Sequence, residues 1–279
     1  WQGLSKSLLI MIDHLKKQII DSRFKHEIID KLSDYQLDSK DAYKIQEEIN
    51  NILSNNGLGK IIGYKIGCTN KAIQKELNVV EPIYGALFKN KVIKNNSNLS
   101  IKNFIKVGVE CEIYVSISKD IIDQDQFSKE KIENLINYCG LSLEIVEDRF
   151  VEIKKNTIEH VIIDGSLGNS IILGKKIRNK FSNYSKFIGR LFLNNKEIYS
   201  CSSDSILGDP LNALKWYFQK KLALKRTIHK GEIISLGSIT PLLWINKPCT
   251  IKAKIDQLGE CSICLLYTSP SPRDRNGSR

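Results

Sequence analysis

The sequence lacks an apolar run of membrane-spanning length, an internal repeat and a long linker. A helical span would need about 20 consecutive apolar residues, so we expect no membrane partner of that kind. Of the 279 residues, 42% are hydrophobic and 26% are charged, a balance that excludes a disordered chain and a simple fibrous repeat. We therefore expect a soluble globular protein with one large domain, alone or with a smaller appendage.

A disulfide framework is also missing. The seven cysteines are odd in number and widely spaced, and no secretory signal is recognisable. This pattern predicts free thiols in a reducing compartment, and we expect a cytoplasmic protein. Cys261 and Cys264 form a single C-x-x-C pair, but no second pair exists to complete a zinc site, so we assign no metal to it.

Acidic residues are fewer than basic ones, 31 against 42, which gives a formal net charge of +11. The lysines and arginines are spread along the chain, whereas a nucleic-acid-binding face would show clustered basic residues with interleaved aromatic residues. The densest basic cluster, residues 215–226, lies on an amphipathic helix whose Trp216, Tyr217 and Phe218 are better explained as core. We expect no nucleic-acid partner, although a basic nucleic-acid-binding module stays open as the alternative from another class.

Both ends of the chain are set apart from the expected fold. The chain begins Trp1-Gln2-Gly3 without an initiator Met, from which we expect a processed or truncated N-terminus. Residues 264–279 begin CLLYTSPSPRD, which resembles the in-frame translation of a sequencing-library adapter. Its Ser-Pro-Ser-Pro run favours neither helix nor strand. We predict that residues 264–279 are a non-native, disordered tail.

The remaining chain divides by the period of its apolar residues. Residues 1–60 have helical spacing, with one apolar face on each side of an N-cap candidate at Asp38 or Ser39. From residue 61 to residue 263, short strand-like runs alternate with helical stretches, which predicts an α+β catalytic domain behind a small helical segment. The two helical faces are Leu8, Ile12, Leu15 and Ile19, then Ala42, Ile45, Ile49 and Ile52.

Residues 107–118 give the clearest strand signal. Apolar residues occupy every odd position, which predicts a strand with one buried face. A helix over about residues 132–139 and a second alternating strand over residues 141–145 follow. Farther on, Asp209-Pro210 predicts the start of a helix that runs to about Leu224, and residues 231–240 and 250–255 predict further strands.

Paired glutamates on the first of these strands suggest a metal site. Glu110 and Glu112 are two residues apart, so their carboxylates leave the same face about 6 to 7 Å apart along the chain. Two like charges at that spacing are tolerable if a cation lies between them or if both face water. Glu144, on the polar face of the next strand, would complete a set of hard oxygen ligands for Mg²⁺, Mn²⁺ or Ca²⁺. Ordinary solvent-facing acids are the competing interpretation.

Lys65 is a second candidate. It lies in a short strand between Gly63 and Gly67, which permit close approach of a backbone or a ligand. A lysine there can bind a carboxylate or transfer a proton. The competing interpretation is a lysine on an edge strand that discourages aggregation.

Six separated motifs, in order and in register over about residues 39–263, resemble the 2-keto-4-pentenoate hydratase branch of the fumarylacetoacetate hydrolase superfamily. This resemblance implies a mixed β-roll or barrel, a homo-oligomer and a divalent metal, Mg²⁺ or Mn²⁺. The motifs are GYKIGCTNKAIQKEL, EPIYGALF, VGVECEIYVSISKD, LSLEIVEDRF, LGDPLNALKW and KGEIISLGSITP.

The resemblance also implies residue roles. Glu110, Glu112 and Glu144 match the metal ligands, and Lys65 matches the active-site lysine. Asp164 falls where the family has a catalytic aspartate, although the usual Asn after it is Gly165 here. The turn that contains Ser238 and Thr240 resembles a substrate-side loop.

One departure bears on the reaction. The hydratases carry an acid two residues before the glycine of a P-x-F-G motif, and this chain has Ile83 there, which is more like the sister 2-oxo-3-hexenedioate decarboxylases. No His occurs between Ile61 and Glu110, which argues against the C–C bond hydrolysis of other members. The resemblance implies a metal-dependent hydratase of a small 2-hydroxy-2,4-dienoate in aromatic catabolism, with Ile83 near the far end of the substrate and the decarboxylase as alternative.

Overall fold

The computed structural model describes residues 6–30, 37–123, 127–178 and 183–267. Six α-helices and thirteen strands lie in these ranges, together with short 3-10 turns and one π turn. The helices are α1 Lys6–Lys25, α2 Ser39–Leu53, α3 Lys71–Glu76, α4 Lys129–Asn134, α5 Ile158–Ile163 and α6 Pro210–Ala223. The strands are β1 Ile61–Gly67, β2 Ile83–Phe88, β3 Val92–Ile93, β4 Ser97–Ser100, β5 Val107–Ile117, β6 Ile136–Glu147, β7 Gly168–Leu173, β8 Ile188–Leu193, β9 Lys196–Ser202, β10 Ile233–Ser238, β11 Leu243–Ile245, β12 Cys249–Ile255 and β13 Gly259–Leu266.

The strands form two mixed sheets. The larger sheet has the order β2-β1-β10-β5-β6-β7-β3, and β11 also pairs with β5. The smaller sheet has the order β4-β13-β12-β8-β9, and β12 and β13 pack against β6 of the larger one. Parallel pairs join β1 to β10, β3 to β7 and β4 to β13, and the other pairs are antiparallel. The predicted α+β class is therefore confirmed.

The two N-terminal helices cover one side of the core. α1 buries Ile12, Leu15 and Ile19, as its periodicity predicts. α2 begins after Asp38, whose side chain accepts a hydrogen bond from the backbone N–H of Asp41 at 2.8 Å. Such a cap satisfies one of the free N–H groups at a helix start and stabilises it by about 1 kcal/mol.

β5 differs from the prediction of one buried face. Its odd-numbered residues are buried in the core, but most of its even-numbered residues, including Glu112 and Tyr114, are buried as well. β5 is a central strand with β10 and β11 on one side and β6 on the other. The polar face is therefore covered by protein instead of water, and it forms the floor of a site.

Two further boundaries need correction. The helix predicted over residues 132–139 ends at Asn134, because residues from Ile136 onward pair with β5 and extend β6. The predicted tail boundary at residue 264 falls inside β13, which continues to Leu266. The inward alternation of Cys261 and Ile263 carries on to Leu265, which is fully buried. Residues 268–279 lie outside the described residues.

The hydrophobic core contains residues from α1, α2, α6 and both sheets. Tyr217 and Phe218 are fully buried on α6 and Trp216 packs against the core from the same helix, as expected for core aromatic residues. All seven cysteines are free thiols. Within the described ranges, no helix is both long and apolar enough to cross a membrane.

Candidate metal centre and active site

Three carboxylates converge on the polar face of β5 and β6. Glu110 and Glu112 alternate along β5, and Glu144 stands directly opposite Glu110 on the antiparallel β6. Each glutamate offers one oxygen atom, and these three atoms lie within 4.8 Å of one another. Glu112 and Glu144 are 1% exposed, whereas Glu110 is partly exposed to the cavities described below. The interpretation as ordinary solvent-facing acids is therefore wrong.

Burial and mutual repulsion disfavour the charged forms of these acids. Burial, together with the charge of Glu144, raises the pKa of Glu110 to about 7. Burial, with the charges of Glu144 and Glu110, raises the pKa of Glu112 well above its usual range, although a hydrogen bond from Ser235 Oγ opposes this shift. The cluster is thus electrostatically costly as it stands.

Lys65 is the cation closest to this cluster. It lies on β1, between β2 and β10, so the edge-strand interpretation is wrong. Its Nζ is 3.0 Å from Glu144 Oε1 and donates a hydrogen bond to Ser166 Oγ at 3.3 Å. Burial alone would lower the pKa of Lys65, but Glu144, Glu110 and Glu112 outweigh burial and raise the pKa.

The residues present fit a divalent metal ion. Lys65 is the cationic partner of Glu144 Oε1, whereas Glu144 Oε2 is buried and accepts no hydrogen bond in the described part of the chain. A buried carboxylate oxygen without a donor is costly, and a cation among three hard oxygen ligands would satisfy it. Glu110, Glu112 and Glu144 would hold the ion.

Asp164 is not part of this cluster. Its carboxylate is buried and receives two hydrogen bonds from Arg149, from Nε at 2.7 Å and from Nη2 at 2.9 Å. The backbone N–H of Leu167 donates to it as well, at 3.1 Å. A carboxylate committed to three donors anchors a turn, so the structure does not support the proton-transfer role implied for Asp164. Ser166, in that same turn, is the residue that contacts Lys65.

Two cavities open onto the glutamates. The first has a volume of about 350 Å³ and is lined by Lys65, Glu110 and Ile83. The second has a volume of about 660 Å³ and is lined by Glu110, Glu112, Ser238 and Thr240. The structure thus brings the three substrate-side candidates to cavities that reach the metal cluster, Ile83 to the first cavity and Ser238 and Thr240 to the second.

The turn that carries Ser238 and Thr240 is tied to β5. Ser238 Oγ donates a hydrogen bond to the carbonyl of Thr240 at 2.5 Å. Thr240 Oγ1 accepts one from the backbone N–H of Cys111 at 3.4 Å. The hydroxyl of Ser238 also lowers the pKa of Glu110 by hydrogen bonding, against the larger effect of burial.

Beyond Lys65, the described wall of the first cavity is mostly apolar, although Asn156 and Ser166 also line it. Ile73, Leu77, Ile83, Val161 and Leu167 contribute to its wall, and Glu76 is its acid away from the cluster. Among the described residues that line the two cavities, Lys65 is the sole lysine or arginine.

Comparisons with known proteins agree with this geometry, although no family model matches the chain. The chain is 25% identical over 221 residues to the 2-keto-4-pentenoate hydratase of Burkholderia vietnamiensis, which covers 78% of this chain and 82% of that protein. It superimposes on 4-oxalocrotonate decarboxylase from Pseudomonas putida G7, complexed with magnesium and adipate, with a TM-score of 0.87 at 20% identity over 95% of this chain and 100% of that one. It also matches a fumarylacetoacetate hydrolase family protein from Yersinia pestis, with a TM-score of 0.58 at 15% identity over 73% and 92% of the two chains.

The chain has the fold of the fumarylacetoacetate hydrolase superfamily. The resemblance inferred from the motifs is confirmed, because the chain is similar to curated proteins named 2-keto-4-pentenoate hydratase. Three polar residues at or beside the site were not predicted from the sequence: Ser166, Ser235 and Arg149. Ser235 had a usable signal, because it occupies an inward position in the strand predicted over residues 231–240. Ser166 and Arg149 had none, since loop serines and strand-end arginines are usually exposed.

Proposed function

We propose that the chain is a divalent-metal-dependent hydratase that adds water to a small 2-hydroxy-2,4-dienoate. The observation that carries this proposal is the buried set of three glutamates beside Lys65, at the end of an apolar cavity. The named functions of the sequence relatives support the same reaction class. Such substrates arise in the catabolism of aromatic compounds, which is the role we propose.

The bound ion, Mg²⁺ or Mn²⁺ in this proposal, would act as a Lewis acid toward the carboxylate and the 2-oxygen of the substrate. Glu110, Glu112 and Glu144 would hold it, and Ser235 donates a hydrogen bond that fixes Glu112. Ser238 and Thr240 line the second cavity together with Glu110 and Glu112, where they would bind and orient the substrate.

Lys65 would take part in the proton transfer that converts the dienol into its keto form. Its ammonium lies between Glu144 and the hydroxyl of Ser166, which keeps Nζ at one position beside the first cavity. In ketonisation the dienol gains a proton at its far carbon and loses its enol proton, giving a 2-oxo-3-enoate. Water then adds oxygen to the fourth carbon and hydrogen to the third. Lys65 is the one lysine or arginine in the described cavity walls, and its ammonium would carry a proton exchanged in this step.

Decarboxylation of a 2-oxo-3-hexenedioate is the second candidate, favoured by Ile83 in the P-I-Y-G motif and by the adipate-bound decarboxylase as a structural neighbour. Its substrate has a carboxylate at each end. The first cavity, which would receive the far end of the substrate, has Ile83, Leu77 and Val161 in its described wall and no lysine or arginine besides Lys65 to pair a second carboxylate. A monocarboxylate with an apolar far end fits better.

Turnover decides between the two reactions. Purified protein is incubated with 2-hydroxypenta-2,4-dienoate or with 2-oxo-3-hexenedioate, with and without Mg²⁺, while dienol absorbance and carbon dioxide are followed. We expect metal-dependent loss of the dienol without carbon dioxide, abolished in Glu110→Gln and retained in the surface control Glu260→Gln. Carbon dioxide release without hydration would overturn the hydratase, and activity that survives chelation would overturn the metal site.

We further propose a cytoplasmic homo-oligomer, without a nucleic-acid or membrane partner. The free cysteines agree with a reducing compartment, and the buried aromatic residues of α6 leave its basic residues without a stacking surface. Light scattering of the purified protein tests the oligomer. A salt-sensitive shift of random DNA without dienoate turnover would favour the nucleic-acid-binding alternative instead.

A further inference from the structure

The turn between α5 and β7 has an unusual backbone. Three consecutive residues, Gly165, Ser166 and Leu167, have left-handed φ angles of 86°, 59° and 58°. A residue with a Cβ seldom adopts this region, and two such residues in succession persist only where surrounding contacts hold them. Strained backbone of this kind concentrates at functional sites.

Two arginines hold the ends of this turn. Arg149 binds the carboxylate of Asp164 through two parallel hydrogen bonds and also donates to the carbonyl of Gly168 at 3.1 Å. Arg23, from α1, donates to the carbonyl of Gly168 through Nη1 at 3.2 Å and to the carbonyl of Asp164 through Nη2. Asp164 and Gly168, the residues that flank the strained turn, are thus bound by guanidinium groups from α1 and from the segment that follows β6.

The turn delivers Ser166 to the active site. Ser166 Oγ accepts the hydrogen bond of Lys65, and a Cβ added at Gly67 would lie only 2.6 Å from that oxygen. On the neighbouring strand, a Cβ added at Gly85 would lie 2.0 Å from the carbonyl oxygen of Gly165. The turn is packed so closely against β1 and β2 that a shift of its backbone must move the Ser166 hydroxyl.

Placing the Arg23 guanidinium at this position costs free energy that a packing role alone would not justify. Burial, together with the charge of Arg149, lowers the pKa of Arg23 to about 10. Its Nε is buried and has no hydrogen-bond partner in the described part of the chain. An apolar side chain could fill this space without those penalties, so the useful feature of Arg23 is its pair of donors to the turn.

We propose that Arg23 is a positioning residue of the active site, which acts with Arg149 to hold the strained turn so that Ser166 stays against Lys65. This inference rests on the proposed function for its catalytic consequence. It makes the N-terminal helix α1 a part of the catalytic apparatus, although no atom of α1 lines either cavity as described.

The test compares Arg23→Ala and Arg23→Lys with the control Lys25→Gln, an exposed change on the same helix turn. Kinetics with 2-hydroxypenta-2,4-dienoate and Mg²⁺ are expected to show kcat reduced about tenfold or more in Arg23→Ala, with KM changed far less. Arg23→Lys keeps the positive charge but lacks the forked pair of guanidinium donors, so we expect its kcat to lie between those of Arg23→Ala and wild type. Added guanidinium ion restores part of kcat in Arg23→Ala and leaves the control unchanged.

Two readouts do not depend on turnover. Hydrogen exchange of the peptide that contains residues 164–168 is expected to accelerate in Arg23→Ala, while exchange in β5 and Mn²⁺ affinity stay at wild-type values. If exchange at the turn is unchanged, or if it rises only together with exchange in β5 and loss of Mn²⁺ binding, the positioning role is overturned. If the wild-type protein turns over no dienoate, only the proposed function fails. The hydrogen-exchange comparison still tests whether Arg23 positions the turn.

Discussion

The cost of the glutamate cluster predicts that Glu110→Gln stabilises the metal-free protein above neutral pH. At 4.8 Å and an effective dielectric constant of about 20, two carboxylates repel by about 3 kcal/mol. Burial, and then this repulsion by Glu144, raises the pKa of Glu110 from an ordinary 4.5 to about 7.

The sign of the pH dependence follows from proton counting. Between pH 4.5 and pH 7, folded protein keeps a proton on Glu110 that unfolded protein has lost, so unfolding becomes easier as pH rises. The full effect is about 3 kcal/mol and is reached above pH 7. Glutamine cannot ionise, so Glu110→Gln removes this part of the slope.

Urea unfolding of metal-free protein at pH 5 and pH 8 measures the difference. We expect wild type to lose stability between these values, relative to Glu110→Gln, by about 3 kcal/mol. Glu260→Gln makes the same charge change at an exposed position and should follow wild type. Saturating Mg²⁺, at about 100 times its dissociation constant, should stabilise wild type by about 3 kcal/mol and the Glu110 variant much less. Equal pH slopes in wild type and Glu110→Gln would refute the electrostatic reasoning.

Three other substitutions give direct tests. Gly85→Ala places a Cβ 2.0 Å from the carbonyl oxygen of Gly165, so we expect a lower thermal midpoint and lost activity; a wild-type midpoint would contradict this close approach. Arg149→Met leaves the buried carboxylate of Asp164 without its partner and should cost about 3 to 5 kcal/mol in urea unfolding. Leu77→Lys adds a cation at the partly exposed wall of the apolar cavity and should raise kcat/KM for a dicarboxylate relative to a monocarboxylate by about tenfold, whereas an unchanged ratio would place the far end of the substrate elsewhere.

Local patterns predicted much of the fold because short-range physics determines them. The N-caps at Asp38 and Asp209 and the strand that contains Glu110 follow from hydrogen-bonding capacity and side-chain alternation. The helix predicted beyond Asn134 failed because pairing with β5, a contact distant in sequence, outweighed local periodicity.

The site was only partly predictable for the same reason. Glu110 and Glu112 were grouped correctly because two residues along a strand face the same way. That Glu144 stands opposite Glu110 depends on the register of β5 with β6, which the motifs anticipated but spacing alone could not. The commitment of Asp164 to Arg149 depends on a buried ion pair, and neither residue type carries a sequence signal for burial.

The charges at the site also bear on which substrate it accepts. Three glutamates and Lys65 leave two uncompensated negative charges in a buried region, and one divalent cation would balance them. A monocarboxylate then brings a single further charge, which can lie beside the metal and Lys65. A dicarboxylate brings a second charge to the far end of the first cavity. The described walls of this cavity are mostly apolar, apart from Glu76 and polar groups such as Asn156. That part of the cavity is bordered by partly exposed residues such as Leu77, but it has no lysine or arginine besides Lys65 that could pair a second carboxylate. The charge balance therefore favours the monocarboxylate even though Ile83 follows the decarboxylase pattern.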